Sequence, residues 1–288
     1  MEFTVVITEP QFRNRGHFRY DLARLLAGSI ESLGHDCTLS RNLPDPGRMN
    51  LIVGGHTIYE EKHLALFQSP QVRYGIIQTD RLLDVGLPYG PEKALFENFY
   101  TPMLQGAQFI WDFQASHLPR LKELGLSARR LSIGYDPALA YLPPKAERDF
   151  DFFFFGQVTP HRQQLLLRLQ GRGHGLQHCD DQDPFFRDDL IARARVHVDP
   201  RWGDGAANPS FTRLATLLTN GYVVVVEEGG DLDGLEDCVV TAPTDQWVQC
   251  CSDTLARSDL DQLAETFHQR FKSRPMTECL APLLEELQ

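Results

Sequence analysis

Residues 151–162 read DFFFFGQVTPHR: four consecutive phenylalanines, then Gly156, with Arg162 a few positions beyond. An apolar run of this length stopped by glycine reads as a strand buried on both faces, as in a parallel sheet covered by helices. Thr159 is a good N-cap and Pro160 a favoured first helical residue, so Arg162 falls at N3 of the helix that follows. N3 is where a capping box carries Glu or Gln. A cation there adds to the positive end of the helix dipole, at a cost of about 0.3–1 kcal/mol. An anion in front of the helix removes the conflict, because free N–H groups at a helix start and an adjacent guanidinium together bind phosphate oxygens. The alternative is that Arg162 points to water or pairs with a nearby acid.

The pattern recurs in residues 203–221, GDGAANPSFTRLATLLTNG. A glycine-containing loop leads to a polar cap, Asn208, then Pro209 as first helical residue and Arg213 in the early helix, with Gly221 as the stop. Two arginines near two such loops point to a ligand bearing more than one phosphate. As helix-start rather than core positions, both are expected to tolerate alanine without loss of the fold.

Outward from these stretches the chain alternates strand and helix, the signature of an α/β fold. In the first half, FTVVIT, CTLS, NLIVGG, YGIIQT and QFIWDF read as strands, and 19–34, 91–104 and 115–125 as helices, with stops at Gly34 and Gly125. Residues 129–149 combine a short strand with Pro137, Pro143, Pro144 and a charged run, as an interdomain connector does. The expected boundary lies near Lys145, giving domains 1–145 and 146–288. The second half restarts the rhythm, with strands at 150–155, 175–179, 195–199, 222–227 and 238–242, helices between, and a helical tail broken at Pro275 and Pro282.

A formal net charge of −11 over 288 residues gives no global attraction to nucleic acid or anionic membranes. No stretch approaches the roughly 20 apolar residues of a membrane span, and MEFTVVITEP lacks a basic, then apolar, leader pattern. The expected location is cytoplasmic. Six cysteines without a CxxC pair read as reduced, mostly buried thiols.

The stretches DFFFFGQVTPHRQQLLLRL and VHVDPRWGDGAANPSFTRLATLLTNGYVVVVEE together resemble the C-terminal half of GT-B glycosyltransferases, in particular the group-1-like and spore-maturation-protein-like branch. Gly156, Arg162, Arg213, Gly221 and Glu227 carry the resemblance, and YGIIQTDRL, FIWDFQASHLPRLKELG and SIGYDPAL extend it into the first half. The resemblance implies two Rossmann-like domains facing a cleft, an acceptor held by the first and a nucleoside-diphosphate sugar by the second, with no cofactor and no obligatory metal. Arg162 and Arg213 would meet the diphosphate, helped by the caps at Thr159 and Asn208. Gly156 would let backbone approach the ligand, and Glu227 would meet a sugar or ribose hydroxyl. Many retaining members carry two glutamates with seven residues between them, at the places taken here by Asn208 and Thr216. That departure leaves a non-catalytic GT-B-like binding or partner protein as the alternative; a sugar-nucleotide epimerase is a third reading.

An inverting transfer needs a base on a loop of the first domain. His56, after Gly54-Gly55, and Asp80, after the GIIQT strand, are the first candidates, then His17 in RNRGHF. Asp112, beside Trp111, reads as a structural capping or pairing residue. Asp231 and Asp233 read as a solvated turn, not a metal site.

Overall fold

The computed structural model describes residues 1–9, 17–79, 94, 96–180, 184–203 and 208–287. Strands β1 (Glu2–Ile7), β2 (Asp36–Arg41), β3 (Met49–Val53), β4 (Arg73–Gln78), β5 (Ile110–Asp112) and β6 (Arg129–Arg130) form one parallel sheet in the order β2-β1-β3-β4-β5-β6. Every residue of β3 is buried, as an apolar run in a covered parallel sheet requires. Helices α1 (His17–Ser32), α2 (Glu61–Phe67), α3 (Thr101–Gly106) and α4 (Leu118–Glu123) follow their strands. Ile52, Ile76 and Ile110 from the sheet pack with Leu64, Phe67, Met103 and Leu121 in one apolar cluster.

A second parallel sheet comprises β7 (Phe150–Phe155), β8 (Leu176–Cys179), β9 (Ala194–Asp199), β10 (Val224–Glu227) and β11 (Val240–Ala242), in the order β11-β10-β9-β7-β8. The phenylalanine run is the buried strand that the sequence predicts: Phe152, Phe153 and Phe154 are 0% exposed. Helices α5 (Pro160–Gln170), α6 (Pro184–Arg193), α7 (Phe211–Thr219), α8 (Trp247–Leu255) and α9 (Leu260–Lys272) accompany it, and α10 (Met276–Glu285) closes the chain. The expected stops at Gly34, Gly125 and Gly221 all stand at positive φ.

The chain folds as two compact units, 1–132 with 277–288, and 133–276. Lys145, the position expected for the boundary, lies inside the second unit, and 277–288 belong with the first. In each sheet the strand order reverses once, between β1 and β3 and between β7 and β9. Open parallel sheets bind ligands beyond the carboxyl ends of their strands at such a reversal.

Candidate functional site

The reversal in the second sheet is framed by Gly156, just past β7, and Asp199, the last residue of β9. The helices that rise from this edge begin alike. Thr159 caps α5, its Oγ accepting from the Arg162 N–H at 3.3 Å, and Ser210 caps α7, its Oγ accepting from the Arg213 N–H at 3.4 Å. The expected cap at Asn208, with Pro209 as first helical residue, is therefore replaced by Ser210 and Phe211. Asn208 instead accepts the Asp231 N–H at 2.9 Å, serving a turn. The shift puts both arginines at the same N3 position.

Both N3 side chains fold back onto Asp199. Its Oδ1 accepts from Arg213 Nη1 at 2.5 Å and lies 4.0 Å from Arg162 Nη2. Arg162 also donates to the carbonyls of Pro200 and Gln157, both at 2.9 Å, and its guanidinium lies 5.1 and 5.2 Å from the Phe154 and Trp202 ring centres. Arg213 lies 5.0 and 5.1 Å from the Phe154 and Phe155 rings. The expectation that these are peripheral positions is corrected. Arg162 and Arg213 are only 6% and 7% exposed, and pairing with a nearby acid is what the structure contains. Two guanidiniums against one carboxylate still leave one net positive charge, at the starts of two helices.

Gly156 is required here. Its φ is 130°, and a Cβ would stand 2.4 Å from Arg213 Nη2. Arg213 Nη2 therefore lies against bare backbone, while Arg213 Nε and Asp199 Oδ2 are buried with no hydrogen-bond partner among the described residues. Thr159 Oγ additionally donates to the Trp202 carbonyl at 2.7 Å, fixing the loop after β9.

One strand further along the edge, Glu227 ends β10 and is 2% exposed. His161 Nε2 is 2.9 Å from both carboxylate oxygens, the Thr244 hydroxyl donates at 2.6 Å, and the Arg201 N–H donates at 2.8 Å. The Arg201 guanidinium approaches to 3.2 Å and presses on Gly229, where a Cβ would sit 2.4 Å from Nη1. Burial works against the charge of Glu227, but the hydrogen bonds from Thr244, His161 and Arg201 outweigh it and hold the carboxyl below its ordinary range. Thr216 is fully buried, and its hydroxyl donates to the Thr212 carbonyl at 3.0 Å.

In the first sheet the reversal gathers Thr8, Glu9 and His56. The Thr57 hydroxyl donates to the Thr8 carbonyl at 2.9 Å, tying the two strand ends together. His56 is 3% exposed, its ring edge-on to Tyr100 at 6.1 Å and its Nε2 3.4 Å from Arg19 Nη2. Arginine can only donate, so Nε2 is the accepting nitrogen. Glu9 accepts from Tyr20 at 3.1 Å and Arg41 at 2.9 Å through Oε2. His17 opens α1, but its side chain lies outside the described residues, as does Asp80. Asp112 has the structural role that its neighbourhood suggests: it binds His117 Nδ1 at 2.9 Å and the Gln114 N–H at 2.7 Å. Asp231 Oδ1 accepts the Asp233 N–H at 2.8 Å, within a turn.

Sequence reasoning missed Asp199, Arg201, Thr244, His161 and Glu9. The first had a signal, an acid ending the apolar strand RVHVD, and His161 stands within the opening stretch. The others reach their partners across distant parts of the chain.

No protein-family model matches the chain, and no curated protein matches its sequence. Solved structures do match. AviGT4, a glycosyltransferase involved in avilamycin A biosynthesis, superposes with a TM-score of 0.58 at 15% identity, over 99% of this chain and 96% of its own. An α-glucosyltransferase in complex with UDP-glucose and DNA containing an abasic site gives 0.64 at 9% identity, over 99% and 98%. A glycosyltransferase from Rickettsia africae ESF-5 gives 0.55 at 9% identity, over 99% and 97%. With nearly full coverage in both directions, the chain has the two-sheet α/β fold of these glycosyltransferases.

Proposed function

We propose that this protein is a glycosyltransferase that moves a sugar from a nucleoside-diphosphate sugar to an acceptor held by the first unit. The observation that carries the reading is the pair of N3 arginines, Arg162 and Arg213, joined by Asp199 at the strand reversal beside Gly156. As the bond from sugar to diphosphate breaks, charge builds on the departing phosphate. Buried cationic groups and helix N-termini at that point stabilise the transition state more than the ground state. Positive charge supplied by arginine makes a divalent metal dispensable in this scheme. His56, Asp80 and His17 are the proposed candidates for accepting the acceptor's proton, and Thr159, Asn208, Thr216 and Glu227 the proposed polar surround of the donor.

The fold shared with transferases crystallised with UDP or UDP-glucose supports uridine nucleotides as the first ligands to test. The motifs at Arg213, Gly221 and Glu227 favour the spore-maturation-like branch. A net charge of −11 argues for an acceptor other than nucleic acid, and for a cytoplasmic setting without a membrane span. No helix among the described residues is long and apolar enough to cross a membrane.

One observation favours the second reading, a non-catalytic binding protein. Asn208 and Thr216 replace the glutamate pair of many retaining members, and their side-chain oxygens bond to backbone, Thr216 to the Thr212 carbonyl one turn back and Asn208 to the distant Asp231 N–H. Thermal-shift and calorimetric titration with UDP, GDP, dTDP and CMP, free and sugar-linked, tests both readings. Nucleotide binding followed by donor hydrolysis or transfer that persists in EDTA supports the enzyme. Binding without turnover across candidate acceptors moves the conclusion to the second reading, and the lack of any nucleotide binding removes the enzyme reading and leaves a non-catalytic partner protein.

A further inference from the structure

Asp199 stands where a ligand phosphate is expected to arrive. Its carboxylate is 2% exposed, shares Oδ1 between two guanidiniums, and keeps Oδ2 buried and without a hydrogen-bond partner among the described residues. The aromatic rings of Phe154, Phe155 and Trp202 flank the two cations, and burial of the group keeps the effective dielectric constant well below that of water. In such a setting like charges a few ångströms apart repel strongly. A single phosphate must overcome the carboxylate with one charged group. A diphosphate brings a second, which can engage the other arginine at the start of the neighbouring helix.

Building on the donor reading above, we propose that Asp199 is the specificity-determining residue of this edge. It acts as an internal counter-ion that excludes monophosphates and admits diphosphates. The carboxylate holds Arg162 and Arg213 in place in the free protein and sets the charge that an incoming anion must outcompete. Neutralising it takes the shared negative charge away from both guanidiniums, and even a simple phosphate can supply that charge in its place.

The test is calorimetric titration of inorganic phosphate, UMP and UDP into the parent protein, Asp199→Asn and Asp199→Glu at low ionic strength. In Asp199→Asn, phosphate and UMP should bind roughly tenfold or more tighter than in the parent, the effect of removing one nearby like charge. UDP should change less, so the preference for diphosphate collapses. Asp199→Glu keeps the charge and should keep the preference. An unchanged preference in Asp199→Asn, or an equal collapse in Asp199→Glu, overturns the proposal. Should the parent fail to bind UDP while Asp199→Asn gains phosphate binding, the counter-ion role stands and the donor reading falls. If Asp199→Asn does not fold, refolding in phosphate decides, since an anion that replaces the carboxylate stabilises the native state by mass action. No recovery in phosphate then counts against the proposal.

Discussion

Truncating Arg213 to alanine would leave the Asp199 carboxylate in an aromatic setting without its 2.5 Å partner. Breaking a buried ion pair by removing one member costs about 3–5 kcal/mol, because the remaining charge stays desolvated. Arg162, 4.0 Å from the same oxygen, still faces the carboxylate, so Arg213→Ala should lower stability by up to about that amount in urea unfolding, with Arg213→Lys intermediate because it keeps the charge but loses the planar fork. A loss below about 0.5 kcal/mol, typical of surface changes, would contradict the burial of this pair. Gly156→Ala belongs to the same structure: at φ 130°, with Arg213 Nη2 in the way of a Cβ, the expected cost is roughly 1–3 kcal/mol. The same measurement detects it. The arginines themselves were legible in the sequence as a conflict with the helix dipole. Their common partner was not, because nothing local to either helix names it.

Among the elements, α5 follows its sequence signals to the residue: Thr159 caps, Pro160 opens, and the helix ends at Gln170. The helix α7 does not, although its signals looked as strong. Pro209 is the first helical residue that the sequence predicts, yet the chain turns into the helix only at Phe211, with Ser210 as cap. Both Asn and Ser are good caps, so propensity could not choose between positions 208 and 210. Burial of every residue of α7 chose. A helix packed on all sides takes the register that its packing dictates. Ser210→Ala should accordingly cost about 1 kcal/mol of unfolding free energy. Asn208→Ala, whose side chain serves an exposed turn, should stay within about 0.5 kcal/mol of the parent. The reverse order would restore the cap to Asn208.

For the molecule as a whole, a histidine in the second core makes stability depend on pH. His197, in the middle of β9, is 1% exposed, lies edge-on to Tyr222 and Phe153, and has no partner at normal hydrogen-bond distance from either ring nitrogen among the described residues. Burial pushes its pKa down to about 3. A folded value below the unfolded one means that the unfolded chain takes up the proton first. The contribution is complete above about pH 6.5 and is lost as the pH falls towards 3, at about 1.4 kcal/mol per unit. Glu227, also held low, adds its own loss only below the ordinary carboxylate range. Urea unfolding between pH 7 and 5 should thus show a slope that His197→Phe removes. An unchanged slope in that variant would assign the dependence to other groups.

The sequence by itself determined the two runs of α/β elements, the buried phenylalanine strand, and the placing of arginines near two helix starts. Periodicity, caps and stops act over a few residues and are written where they act. Only the tertiary structure decided that β9 lies beside β7, so that Asp199 meets both guanidiniums, and that His161, Arg201 and Thr244 converge on Glu227. Strand order is a long-range property, set by which apolar faces bury one another, and a carboxylate's choice of partner follows from that order rather than from its neighbours along the chain.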